Sequence, residues 1–208
     1  YGAEGDILRY RADQSVQVFE RIDATHYVST DGSGANDTLT LEGNQWVWRQ
    51  DGRDEQVECY EGSPAQVDNA KLQMSYDISG QADRTEYLYT NDRLTAINDY
   101  DADTLTQRVE FSYGTDANGA GYTYGTEQLG VIETYSGTTL QSQVRYTYAN
   151  QTTDQIEQVI VDLTPSDETD NEFYTTTYGY NGNNQLQSIS EPSGETLTFG
   201  YHADGRIY

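Results

Sequence analysis

Tyr178-Gly-Tyr180, then the polar stretch Asn181-Gly-Asn-Asn184, then Leu186-Gln-Ser-Ile189: the reading of this segment decides the fold. An aromatic-x-Tyr pair sets two rings on one face of a strand, because strand side chains alternate. Asn and Gly supply a turn, and Leu and Ile begin a second strand. The phrase recurs as Tyr87-Leu-Tyr89, Phe111-Ser-Tyr113, Tyr146-Thr-Tyr148 and Phe199-Gly-Tyr201. In four of the five copies a polar turn leads to Leu or Ile, usually with Ile or Val three residues on. Those followers are Leu94/Ile97, Ile156/Val159, Leu186/Ile189 and Ile207. The phrases start 24, 35, 32 and 21 residues apart, a constant unit with variable loops. That is an array of β-hairpins, and it points to a surface or a container in place of one catalytic pocket.

Upstream of the array, Val16-Gln-Val-Phe-Glu20, Leu39-Thr-Leu-Glu42 and Gln45-Trp-Val-Trp-Arg49 alternate as strands do. Asp51-Gly52 marks a hairpin turn. Leu72-Gln-Met-Ser-Tyr76 reads as a degenerate first repeat. The expected organisation is an N-terminal β region over residues 1–62, continuous with the sheet, followed by hairpin repeats over 63–208. Glu61-Gly-Ser-Pro-Ala65 is the candidate seam. No window carries a sustained helical period. The fold class is therefore all-β, antiparallel hairpins in one strongly curved sheet, an open spiral or incomplete barrel. Both termini read as cut, since the chain opens without Met and stops inside a repeat.

Leu, Ile, Val and Phe number only 36 of 208 residues, and the formal net charge is −24. That combination usually signals disorder, but 19 Tyr and two Trp replace the missing apolar area. Acids outnumber bases by 35 to 11, with Lys71 the single lysine. Such a field repels phosphate backbones and anionic lipid, which excludes nucleic acid as a partner. No run is long and apolar enough for a membrane-inserted helix. Cys59, the one cysteine, precludes an internal disulfide, and four acids within five residues argue against a reactive thiol.

The unit Phe199-Gly-Tyr-His-Ala-Asp-Gly-Arg-Ile-Tyr208 resembles the tyrosine–aspartate (YD) repeat of the Rhs family, Tyr-x-Tyr-Asp-x-x-Gly-Arg-Leu. Tyr87-Leu-Tyr-Thr-Asn-Asp-Arg-Leu94 and Tyr178–Ile189 are similar, and the resemblance extends over roughly residues 71–208. Thr90, Gly114, Ala149, Asn181 and His202 stand where the family has Asp; only Tyr76-Asp77 retains it. No Asp-Pro-x-Gly segment, the mark of the family's self-cleaving shell end, is present. The resemblance implies a spiralling sheet that holds or encloses another polypeptide, a bacterial protein of the envelope or secreted medium, and no enzymatic activity of this segment. The expected partner is a protein or another part of a larger parent chain.

Candidate sites are few. The aromatic ribbon of Tyr87, Tyr89, Phe111, Tyr113, Tyr146, Tyr148, Tyr178, Tyr180, Phe199 and Tyr201 reads first as core, and otherwise as a stacking platform for sugar or peptide. Trp46 and Trp48 share a strand face and are candidate contacts for sugar or partner. These residues carry the alternative from another class, a carbohydrate-binding module or a glycoside hydrolase using an acid pair. Gly32-Ser-Gly-Ala-Asn-Asp-Thr-Leu39 is similar to one calcium-binding nonapeptide with an insertion, making Asp31 and Asp37 calcium candidates. No other cofactor is expected. His26 and His202 lack metal-ligand spacing, and no nucleophile motif occurs.

Overall fold

The computed structural model describes residues 5–11, 13–30, 32–62, 70–114, 128–149, 154–167 and 172–208. Six strands come first: β1 (Ile7–Tyr10), β2 (Val16–Arg21), β3 (His26–Ser29), β4 (Thr38–Glu42), β5 (Gln45–Arg49) and β6 (Gln56–Glu61). Next are β7 (Leu72–Asp77), β8 (Arg84–Thr90), β9 (Arg93–Asp101), β10 (Thr104–Tyr113) and β11 (Leu129–Ser136). The last five are β12 (Thr139–Tyr148), β13 (Ile156–Asp162), β14 (Phe173–Tyr180), β15 (Leu186–Ser190) and β16 (Thr196–Thr198). Their order in the sheet is their order in the chain, an all-antiparallel meander of hairpins. Helix is confined to single 3-10 turns at Gly32–Gly34 and Gln50–Gly52 among the described residues. None is long or apolar enough to cross a membrane.

Two compact units emerge: Tyr1–Asp92 with Ile97–Thr106, and Arg93–Ala96 with Gln107–Tyr208. The division does not fall at the seam read from the sequence. Residues 63–65 of that seam lie outside the described residues, but β6 and β7 pair on either side of it, from Gln56↔Asp77 to Cys59↔Met74.

The first unit has a conventional core. In β5 the residues Trp46, Val47 and Trp48 are buried in succession, so both faces of that strand are covered. Trp46 and Trp48 join Phe19, Tyr27 and Leu39 on one face, with Ile7, Leu41 and Tyr60 packed against them. Val47, Val57 and Cys59 cluster separately, with Met74 and Tyr76 beside them. Burial raises the pKa of the Cys59 thiol above its ordinary value, so it is a protonated packing group. Two-residue turns at Asn91-Asp92 and Ala102-Asp103 have positive φ at both positions, the backbone twist that closes a tight hairpin.

The second unit explains the repeat. Tyr178 faces Ile189, Gly179 faces Ser188, and Tyr180 faces Leu186. Three residues on β14 thus span four on β15, a β-bulge that leaves Gln187 as the extra residue. The same irregularity puts Tyr146 opposite Val159 and Tyr148 opposite Ile156, and puts Phe111 opposite Ile132 and Tyr113 opposite Leu129. A spacing of three would send two strand side chains to opposite faces. The bulge returns both to the side of their aromatic partners. Glycine at the centre of the phrase has a steric reason: a Cβ on Gly179 would run into the Ser188 hydroxyl, and one on Gly200 into the Tyr208 ring.

Candidate functional site

The second tyrosine of each phrase in the second unit reaches the neighbouring hairpin. Tyr113 Oη donates to the Leu94 carbonyl at 3.0 Å, and Tyr148 Oη to that of Leu129 at 2.9 Å. Tyr180 Oη donates to the Ile156 carbonyl at 2.9 Å, and Tyr201 Oη to that of Leu186 at 2.6 Å. Each acceptor is the first apolar residue of the preceding follower strand. The phenol therefore staples one repeat to the one before it while its ring covers the sheet. Burial raises the phenol pKa of Tyr148 and Tyr180, keeping these donors protonated.

Removing these hydroxyls tests the staple. Tyr148→Phe and Tyr180→Phe should each destabilise the second unit by about 0.5–1.5 kcal/mol, the usual net worth of such a bond. The double variant should cost about the sum, because the two staples share no partner. Urea melts followed by tyrosine fluorescence give the comparison. Unchanged midpoints in both single variants would remove the staple as a stabilising element.

All ten ribbon aromatics are half-buried. They are less enclosed than Phe19 or Trp46, which are 0% and 2% exposed. The row is thus a covered sheet face that still meets solvent. Sequence reasoning missed one member of the follower set: Leu129 and Ile132 answer the Phe111 phrase with the same register. The three-residue interval between them was the available signal, hidden by the long connection after Tyr113. The turn Asp116–Gly119, like Asn150–Thr153, lies outside the described residues.

Asparagine substitutes for the family's aspartate at residue 181. Its Oδ1 accepts the amides of Asn183 at 2.9 Å and Gln185 at 3.0 Å. Asp77, after Tyr76, accepts the Ser79 amide at 2.9 Å in the same way. The chemistry needed is a short side-chain acceptor that closes the turn, and Asn supplies it without a charge.

Trp46 and Trp48 are corrected from surface contacts to core, at 2% and 5% exposure. Trp46 meets the Tyr27 ring edge-on with centroids 5.5 Å apart. Trp48 is covered by the Arg9 guanidinium, 3.9 Å from the ring centroid. Their alternation was read correctly, but both strand faces here are packed, so neither indole is available to stack on a sugar.

Of the two calcium candidates, Asp37 can be placed. Asp31 lies outside the described residues. Asp37 is 2% exposed and its oxygens face N–H donors. Oδ2 accepts from Gln17 Nε2 at 2.9 Å and Trp48 Nε1 at 3.2 Å, while Oδ1 accepts the Asp51 amide at 3.0 Å. Arg11 adds a guanidinium nitrogen 3.9 Å away. A calcium loop turns oxygens inward toward the ion; here donors surround a carboxylate, which acts as an internal anchor for three segments. Among the described residues no group of three or more His, Cys, Asp or Glu side chains is placed to hold a metal ion.

Beside this anchor lies a network absent from the sequence reading. Arg9 donates from Nε to Glu58 Oε2 at 3.2 Å and to the Tyr60 hydroxyl at 3.1 Å. Its Nη2 reaches the same Glu58 oxygen at 2.7 Å, and Nη1 reaches Gln17 at 3.2 Å. Tyr60 also donates to Glu58. Burial alone would lower the Arg9 pKa; the bonds to Glu58 and Tyr60 outweigh it and raise the net value. Burial, then the Glu58 charge, pushes the Tyr60 phenol up. Arg9 and Glu58 are 49 residues apart, so no local pattern announced the pair.

These features define a class, a repeat protein whose hairpins are laid side by side and pinned by tyrosines. Residues 180–207 match the family model of the RHS repeat. That match contains the Leu186 follower strand, β16 and the Tyr201↔Ile207 bridge. The C-terminal hairpin is therefore similar to an RHS repeat, which supports the Rhs/YD-repeat resemblance over that segment. No curated protein matches the chain.

Proposed function

We propose that this chain is a non-enzymatic structural and interaction module of an Rhs-type repeat protein, secreted or held at a bacterial cell envelope. Its sheet holds or encloses another polypeptide, either a partner or a further part of a larger parent chain. The observation that carries the reading is the tyrosine-pinned ladder. Hairpins stapled one to the next extend a continuous aromatic face, and such repeats add contact surface with each copy. The half-buried state of all ten ribbon aromatics supports it, since a face intermediate between core and open surface suits a partly covered partner. The burial of both tryptophans takes away two of the aromatics on which the carbohydrate reading drew.

The test is photo-crosslinking in the full-length protein, with benzoylphenylalanine replacing Phe111, Tyr146 or Tyr178 one at a time. The expected result is a covalent adduct to a defined polypeptide segment at two or more of these positions. Absence of any adduct, together with saturable binding of a glycan, would replace this reading with the carbohydrate-binding one.

A further inference from the structure

The six strands β1–β6 curl around the face that carries Phe19 and Trp46, since Arg9 on β1 bonds to Glu58 and Tyr60 on β6 across it. One end of the enclosed space is filled by hydrogen bonds among Arg9, Gln17, Asp37, Trp48 and the Gly34 carbonyl. The other end holds a cavity of about 900 Å³, with Ile7, Arg21, Tyr27, Leu39, Trp46 and Tyr60 in its lining. Strand register sets all six on one face. Ile7 lies opposite Phe19, Arg21 opposite Tyr27, Tyr27 opposite Leu39, and Trp46 opposite Leu41 and Tyr60. Residues on one strand of this set, such as Phe19 and Arg21, are two apart and share that face. Small ligands commonly bind in cavities of this size at the mouth of a curved sheet.

The polar groups of the lining are mostly donors. Arg21 is exposed, and its stem lies along Gly5, where a Cβ would stand 3.5 Å from Cδ and 3.9 Å from Nη1. It donates from Nε to the Asp23 carbonyl at 3.1 Å and has no ion-pair partner among the described residues. In a chain of 35 acids and 11 bases that is unusual: Arg9, Arg49 and Arg84 all face carboxylates. The Asp23 carboxylate is engaged in its own turn, accepting the Thr25 and His26 amides at 2.8 and 2.9 Å. Trp46 supplies a second donor, an indole N–H buried without an acceptor among the described residues. A buried donor of that kind is costly until something accepts from it. Both donors belong to neighbours of the Tyr27 ring: Arg21 is its cross-strand partner, and Trp46 meets it edge-on at 5.5 Å. The carboxylate of the lining, Asp6, forms no ion pair with Arg21. Apolar and aromatic walls beside a guanidinium and an N–H complement a ring that bears an anionic, acceptor-only head.

We propose that this cavity binds a small aromatic carboxylate. Its ring lies among Ile7, Tyr27, Leu39 and Tyr60, and its oxygens accept from Arg21 and the Trp46 N–H. The general field of a chain of charge −24 opposes anions, so the attraction is local to that guanidinium. The site is separate from the aromatic ribbon and does not depend on the polypeptide that the module holds.

The probe is 1-naphthylacetate, titrated into the whole chain by calorimetry, with saturable binding at one site per chain expected. Arg21→Gln keeps length and removes charge at an exposed position. It should lower affinity about ten-fold, as loss of a charge-assisted hydrogen bond implies. The uncharged analogue 1-naphthylacetamide should bind more weakly than the acid and be indifferent to Arg21→Gln. Trp46→Phe should weaken binding of the acid, and Asp6→Asn should tighten it by removing a like charge. Arg206→Gln takes the same charge from an exposed arginine of the second unit and should change affinity less than about two-fold. Ile7→Trp, which fills the cavity, should abolish binding. No saturable binding of the acid would overturn the proposal. So would equal affinity for acid and amide, or equal losses in Arg21→Gln and Arg206→Gln. A peptide ending in Phe carries the same chemistry, and its binding in preference to the free acid would overturn the small-molecule assignment in favour of a chain terminus.

Discussion

Asp37→Ala is expected to destabilise the first unit by about 3–5 kcal/mol, the range for stripping a buried charge-bearing partner from its network. Alanine leaves Trp48 Nε1 and the partly buried Asp51 amide without their acceptor and takes one of two acceptors from Gln17 Nε2, which keeps the Gly34 carbonyl at 3.2 Å; a buried donor left unpaired costs about 1–3 kcal/mol. Partial entry of water keeps the total below the simple sum. Asp37→Asn should cost less, about 1–3 kcal/mol, because the amide retains one accepting oxygen but turns an NH2 toward donors. Both tryptophans belong to the first unit, so intrinsic tryptophan fluorescence in a urea titration isolates its transition. A loss under about 1 kcal/mol for the alanine variant would mean that the anchor does not exist in solution.

The second large effect concerns the indoles. Trp46→Ala and Trp48→Ala should each cost about 3–5 kcal/mol, as for other buried large-to-small aromatic changes. Phenylalanine separates the two positions. Trp46 Nε1 is buried with no hydrogen-bond partner among the described residues, so Trp46→Phe removes an unsatisfied donor and costs mainly volume. Trp48 Nε1 serves Asp37 and its ring carries Arg9, so Trp48→Phe gives up a charge-assisted bond and part of a cation–π contact. Trp48→Phe should therefore be the more damaging, by about 1 kcal/mol or more. Equal midpoints for the two phenylalanine variants would sink this account of the network. Micromolar sugar-dependent quenching of wild-type fluorescence would contradict the burial of both rings.

Much of the fold was legible because its signals are local. Alternation marks a strand within five or six residues, and Asn, Asp and Gly mark the turns where φ must be positive, as at Asn91-Asp92 and Gly205. The aromatic-x-Tyr phrase and its followers predicted an all-β hairpin array, and the sheet runs in that order. The three-residue interval between followers was visible too, but its cause, the bulge at Gln187 and its counterparts, appears only when a strand is paired. Leu129 and Ile132 went unrecognised because a long connection separates them from Tyr113, and pairing does not depend on loop length.

What the amino-acid sequence determined by itself is the repeating unit, its antiparallel hairpins, the acidic field and the Rhs resemblance. All of these depend on neighbours in the chain or on sums over it. Tertiary structure alone decided which faces are covered and which groups meet across tens of residues. It buried Trp46 and Trp48 on a strand packed on both sides, and it turned Asp37 from a calcium candidate into an acceptor for three donors. It also brought Arg9 to Glu58 and aligned Tyr113, Tyr148, Tyr180 and Tyr201 with carbonyls on adjacent strands. The physical reason is common to all of them: alternation assigns a side chain to a face, but only the neighbouring strands determine what that face meets.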